Sequence, residues 1–138
     1  MKIVFDTNIY VSIALDKRSA GGRAFEATLF ARWRVYANQY LSDELERVLI
    51  DELQRPKHAT YDLLRVLSHA WHDVPSQSSR HVVADDPKDT PILQLALQVG
   101  ADFLVTRDKH LLSLNPYEKL RLISLASYYR MLEDHGLI

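Results

Sequence analysis

The sequence predicts an α/β fold, a three-layer α/β/α sandwich with a mostly parallel central sheet. Three observations carry this. Short apolar runs rich in β-formers recur at residues 3–5, 35–37, 103–106 and 120–124. Stretches with apolar residues at helical intervals lie between them, and strands alternating with amphipathic helices specify a parallel sheet under helical cover. Two strands also run directly into acids, Asp6 after Phe5 and Asp108 after Val105-Thr106-Arg107. In a parallel arrangement both acids reach the carboxyl edge of the sheet, where open α/β folds build their ligand crevice.

The elements follow in order. Ile3, Val4 and Phe5 are wholly apolar and read as a strand buried on both faces. Asn8 to Leu15 is apolar at Ile9, Val11, Ile13, Ala14 and Leu15, short enough for a helix on the sheet. Residues 16–22 are polar, end in Gly-Gly and read as a loop. Ala24, Phe25, Ala27, Thr28 and Ala31 give helical spacing over residues 23–33, and Val35-Tyr36-Ala37 a second strand. Ser42-Asp43 offers good N-cap residues for a helix carrying Leu45, Val48, Leu49 and Leu53, which ends at Arg55-Pro56. Residues 61–71 form another amphipathic helix. A serine-rich connection over 75–80 and the brief apolar run His81-Val82-Val83 precede the charged turn Asp85-Asp86-Pro87-Lys88-Asp89. Thr90 as cap and Pro91 at the first helical position start a helix that Gly100 stops. Residues 103–106 then form a buried strand, Leu111-Leu112 a short helical turn, 120–124 a last strand and 126–133 a terminal helix.

Length and composition bound the function. A chain of 138 residues fits one domain spanning 1–138, and 47% hydrophobic with 25% charged residues is the balance of a globular protein. A net charge of −1 argues against coating nucleic acid by bulk positive charge, yet leaves room for local contacts to a phosphate backbone. The absence of cysteine removes disulfides, thiolate metal sites and a cysteine nucleophile. With the first strand starting at once and no apolar run near bilayer length, the expectation is a cytoplasmic protein with no membrane association. The six histidines show no compact ligand spacing; His69 and His72, three apart, suit zinc only with further ligands.

The chemistry lies in the acids. Asp6, Asp89 and Asp108, with a glutamate from the helix after Ser42-Asp43, supply up to four carboxylates for one crevice. Such a cluster repels itself unless compensated. Mg²⁺ or Mn²⁺ prefers oxygen donors and resolves the conflict, which points to phosphodiester chemistry. Each acid also has a plainer role. Asp6 and Asn8 suit a turn or cap, Asp89 a pre-helix acid favoured by the helix dipole, Asp85 and Asp86 solvated loop charges. Glu46 suits a capping box with Asp43. Thr106 and Asn8 are candidates for orienting ligands, and Arg107, Lys109 and His110 for touching phosphates beside the crevice. Asp102 belongs at the opposite edge of its strand.

Taken together, several motifs resemble one family. They are Asp6-Thr7-Asn8 after an opening strand, Ser42 and a glutamate entering the Leu45/Val48/Leu49 helix, Arg55-Pro56-Lys57, Asp86-Pro87-Lys88-Asp89 before Ile92-Leu93, and the run from Gly100 to Lys109 followed by Leu111-Leu112. In that order, over nearly the whole chain, they resemble a PIN domain, and more narrowly the VapC-like toxins of toxin–antitoxin systems. The resemblance implies a flavodoxin-like fold and a metal-dependent endoribonuclease using Mg²⁺ or Mn²⁺. It maps the family's acids onto Asp6, Asp89 and Asp108, with Glu44 preferred as the remaining one, Glu46 as its competitor and Asp86 as a possible further site residue. Glu44 and Glu46 flank Leu45 by about 100° on either side, so periodicity does not choose between them. His110 stands where many relatives carry a further acid. The resemblance also implies an RNA substrate, a small antitoxin partner and a homodimer.

Two other readings compete. A phosphoacceptor receiver domain also gathers acids around Mg²⁺, but wants adjacent acids after its first strand, and Phe5-Asp6-Thr7 does not supply them. A non-catalytic PIN scaffold would fit the loss of an acid, whereas here every acidic role can be filled.

Overall fold

Ile3, Val4 and Phe5 are wholly buried in strand β1 (Lys2–Phe5), and the sheet grows outward from it in both directions. A computed structural model describes residues 1–75 and 90–138. After β1 come α1 (Thr7–Leu15), α2 (Ala20–Phe30), β2 (Arg34–Ala37) and α3 (Gln39–Arg47), which runs on into a π-helical turn at Val48–Glu52. Then follow α4 (Lys57–Ala70), β3 (His72–Asp73), α5 (Pro91–Val99), β4 (Phe103–Val105), α6 (Lys109–Leu112), β5 (Arg121–Ile123) and α7 (Leu125–Asp134). Among the described residues the strands form one sheet in the order β3-β2-β1-β4-β5, every pair parallel.

That order reverses direction between β1 and β4, which makes their carboxyl ends the switch point of the sheet. Phe5 lies in register with Val105, and the Asp6 amide donates to the Val105 carbonyl at 2.9 Å, so the residues after the two strands emerge side by side.

Helices cover both faces. The Phe5 ring meets Tyr10, Phe25 and Tyr128 edge-on, with centroids 6.0, 5.7 and 5.6 Å away, which joins α1, α2 and α7 over one face. Full burial of a phenylalanine is worth about 1.5–3 kcal/mol. Two buried polar contacts fasten the same layer: Tyr128 and Thr28 share a hydrogen bond across 100 residues of sequence, and Trp71 Nε1 donates to the Tyr10 hydroxyl at 2.8 Å. On the other face α5 packs across β1, β2 and β4, burying Ile92, Leu93, Leu95 and Ala96. The architecture is the predicted α/β/α sandwich.

Several element boundaries differ from the sequence reading. Gly21-Gly22 is not a loop but the first turn of α2, capped by the Ser19 hydroxyl, which accepts from the Gly22 amide. A Cβ at Gly22 would run into the Lys17 backbone, so glycine is demanded by packing rather than by a turn. Helix α3 starts at Gln39, before the expected Ser42-Asp43, because Asn38 caps it by accepting from the Leu41 amide. Helix α4 starts at Lys57 rather than 61. His69 and His72 share no helix: His69 lies in α4 and His72 in β3, with its ring 5.4 Å from that of Tyr36. Strand β3 was not foreseen. The helix predicted after Thr90-Pro91 and stopped by Gly100 forms as expected, with Gly100 left-handed at φ 65°. Asp102 sits at the opposite edge and takes the Lys2 amide on its carboxylate. The apolar run at 81–83 and the charged turn at 85–89 lie outside the described residues.

Candidate active site

Asp6 leaves β1 at the switch point and immediately caps α1, its Oδ1 accepting from the Thr7 amide at 2.8 Å. Its other oxygen accepts from the Thr106 hydroxyl at 2.6 Å and from Asn8 Nδ2 at 3.3 Å. Thr106, fully buried just beyond β4, also accepts from the Asp108 amide at 3.0 Å. One hydroxyl thus ties Asp6 to the backbone of Asp108. Asp108 caps α6 in turn, taking the His110 amide on Oδ1 at 2.8 Å.

The third carboxylate comes from α3. Glu44 accepts from the Thr7 hydroxyl through Oε2 at 2.8 Å, so Thr7 holds Asp6 through its amide and Glu44 through its side chain. Asp6, Glu44 and Asp108 line one open cleft of about 540 Å³, with Tyr40 and Arg107 also on its walls.

Burial pushes the Asp6 carboxyl above its ordinary value of 3.8. Hydrogen bonds from Thr106 and Thr7 oppose the rise, and the charges of Glu44 and Asp108 add to it. The Tyr40 hydroxyl is raised too, by partial burial first and then by Glu44, while Arg47 pulls it down. Among the described residues neither salt bridge involves the three cleft acids, although Arg107 shares the cleft and Arg47 feels the charge of Glu44. Asn8 Oδ1 is buried and has no hydrogen-bond partner among the described residues.

These donors suit a hard cation. They are all oxygens, and none of them is closed off by a salt bridge among the described residues. Among the described residues no three acids or histidines converge tightly enough to form a cage. Mg²⁺ keeps several waters and takes only one or two carboxylates from a protein, so the open arrangement is compatible with it.

Of the residues singled out in the sequence, Asp6, Glu44, Asp108, Asn8 and Thr106 come together here. Glu46 does not. It lies on another surface, where it bonds the Tyr61 hydroxyl and lines a shallow depression with Asp43 and Lys57. Its expected capping box is also absent, since Asp43 is inside α3 and accepts from Gln39 Nε2 at 2.7 Å. Asp86 and Asp89 lie outside the described residues. Arg107 lines the cleft, whereas Lys109 and His110 are exposed and off its walls. Sequence reasoning missed Thr7, whose signal is a hydroxyl between two candidate acid-site residues, and Tyr40, one helical turn before Glu44.

The family model for the PIN domain matches residues 2–110, most of the chain. PIN domains are typically nucleases and generally use divalent metals. No curated protein matches the sequence.

Proposed function

The chain belongs to the PIN domain family, and from that premise we propose that it is a divalent-metal-dependent endoribonuclease, one nuclease domain over residues 1–138, acting as the toxin of a toxin–antitoxin pair. The observation that carries the nuclease reading is the hydroxyl link from Asp6 through Thr106 to Asp108, with Glu44 brought into the same cleft by Thr7.

Asp6, Glu44 and Asp108 would hold Mg²⁺ or Mn²⁺ in this reading, and Asp89, two residues before α5 in the sequence, would complete the set. The ion supplies charge stabilisation and a lowered pKa for attacking water when bound. The chain's own part is preorganisation. Hydrogen bonds from Thr106 and Thr7 oppose the rise that burial imposes on Asp6 and fix its orientation, so the carboxylate is placed for a cation without reorganising. Asn8 donates to the same carboxylate and limits its rotation. Asp108, anchored through its amide and at the start of α6, presents its remaining oxygen lone pairs to the cleft. Arg107 meets an RNA phosphate from the rim, and Lys109 adds positive charge nearby. A small antitoxin protein blocks the cleft, and the nuclease works as a homodimer in the cytoplasm. Among the described residues no helix is long and apolar enough to cross a membrane.

The test is cleavage of a panel of single-stranded and structured RNAs with Mg²⁺, Mn²⁺ or EDTA, comparing wild type with Asp6→Asn and Asp108→Asn. Metal-dependent cutting lost in both folded variants is the expected result. Cutting that survives both substitutions overturns the site, and metal binding without cleavage of any RNA favours a scaffold. Co-expression with the protein of a neighbouring small reading frame tests the toxin role, since a cognate antitoxin restores growth.

A further inference from the structure

One wall of the cleft is apolar, and an irregularity in α3 builds it. Tyr40 and Glu44 stand one turn apart on α3, about 6 Å along its axis, and Val48 continues the same ridge. A regular α-helix would next present Glu52. The π-helical turn inserts one residue, with the Leu53 amide donating to the Val48 carbonyl at 2.9 Å, five residues back. Leu53 therefore takes the cleft-side place beside Val48, and Glu52 is turned away to pair with Arg47 at 2.6 Å. Tyr40 and Leu53 stay 46% and 42% exposed, although both are large and apolar. Tyr40 thus presents an aromatic ring to solvent beside three carboxylates.

We propose that Tyr40, with Val48 and Leu53, is a nucleobase subsite that stacks one unpaired base of the strand next to the scissile phosphate. This rests on the nuclease reading of the same cleft. The carboxylates offer a base no stacking surface, whereas an aromatic face serves any base because each has a π-face. Arg107 faces the backbone from the rim, so the cleft provides both elements of single-strand binding, a cation for the phosphate and a ring for the base. A duplex keeps its bases stacked on each other and offers Tyr40 none.

The experiment measures binding rather than cutting. Fluorescence anisotropy follows a fluorescein-labelled single-stranded oligoadenylate with Mg²⁺ on the full-length Asp108→Asn chain, alone and combined with Tyr40→Ala or Tyr40→Phe. A strand of the same length with every base replaced by an abasic sugar is the second axis of the cycle. Tyr40→Ala is expected to weaken oligoadenylate binding roughly tenfold or more, and Tyr40→Phe, which keeps the ring, to bind within about twofold of its parent. The abasic strand should bind both Tyr40 and Ala forms equally, an outcome that a merely structural role for the ring does not produce. The subsite is overturned if Tyr40→Ala binds like its parent, if the loss is the same on the abasic strand, if duplex RNA binds as tightly as the single strand, or if the parent binds no oligoadenylate. Failure of the nuclease reading shows separately, as absence of cleavage by the wild type.

Discussion

Replacing Thr106 by valine tests whether the site is organised through a single hydroxyl. The substitution keeps the shape of a fully buried side chain and removes two hydrogen bonds, the 2.6 Å donation to Asp6 Oδ2 and the 3.0 Å acceptance from the Asp108 amide. A hydrogen bond to a charged group contributes about 1.5–3 kcal/mol, and a donor left without a partner costs about 1–3 kcal/mol. These overlap, because the Asp108 segment can relax toward water, so the expected loss of stability is about 2–4 kcal/mol. At this chain length that lowers Tm by roughly 8–16 °C. The Thr106 bond is also the largest influence holding the Asp6 carboxyl down, so its removal lets burial push that group further up. A proton then competes better with a cation, and apparent metal affinity should fall about 10–100-fold, the usual cost of losing a partner that orients a ligand. Titration of cleavage against Mn²⁺, alongside thermal unfolding, measures both. Thr106→Ser should restore metal affinity by returning the hydroxyl. If Thr106→Val loses stability but keeps wild-type metal dependence, the hydroxyl is structural only and the proposed link between Asp6 and Asp108 does not organise the site.

Three further outcomes are expected. Folding raises the pKa of Asp6, so the stability this group contributes is complete below 3.8 and is lost as pH rises through the raised value. Mg²⁺ competes with that proton, and the rise in Tm it produces should therefore grow between about pH 4 and neutrality and be absent in Asp6→Asn; a shift independent of pH would detach Asp6 from the metal. Gly22→Ala should destabilise by about 1–3 kcal/mol despite the better helix propensity of alanine, because the new methyl meets the Lys17 carbonyl, and an unchanged or higher Tm would refute that close approach. Tyr128→Phe should cost only about 1 kcal/mol in denaturant unfolding, since the Thr28 hydroxyl keeps its bond to the Ala24 carbonyl, and a much larger loss would show that more than the shared hydrogen bond is at stake.

What the sequence revealed follows from what local pattern encodes. Residues 3–5 read correctly as a central strand because a strand buried on both faces has no polar positions, and Asp6 and Asp108 could be brought together because each directly follows such a run. The helix between Thr90 and Gly100 was equally legible, since proline and a left-handed glycine are required by backbone geometry at its two ends. Strand β3 carried no such mark. His72 and Asp73 are exposed and only two residues long, and they pair with Tyr36 and Ala37 because α4 delivers them there. Gly21-Gly22 misled for the opposite reason: glycine usually signals a turn, but here a close approach between α2 and the preceding chain required the missing side chains.

The choice between Glu44 and Glu46 shows where local pattern stops. Leu41, Leu45 and Leu49 form the buried stripe of the helix, and the stripe fixes which side faces the core while leaving its two flanks equivalent. What distinguishes the flanks is the neighbour each meets: Thr7 at the start of α1 on Glu44's side, Tyr61 of α4 on Glu46's. Neither contact is local in sequence. The same limit hid the apolar cleft wall, because Tyr40 looked like chain leading into a helix until Asn38 set the cap one turn earlier, and Leu53 read as a regular continuation of the Leu45/Leu49 stripe until the π-helical turn shifted it into line with Val48. Strict periodicity in the sequence thus serves the core, and only the folded chain shows the inserted residue that holds a side chain out beside the acids.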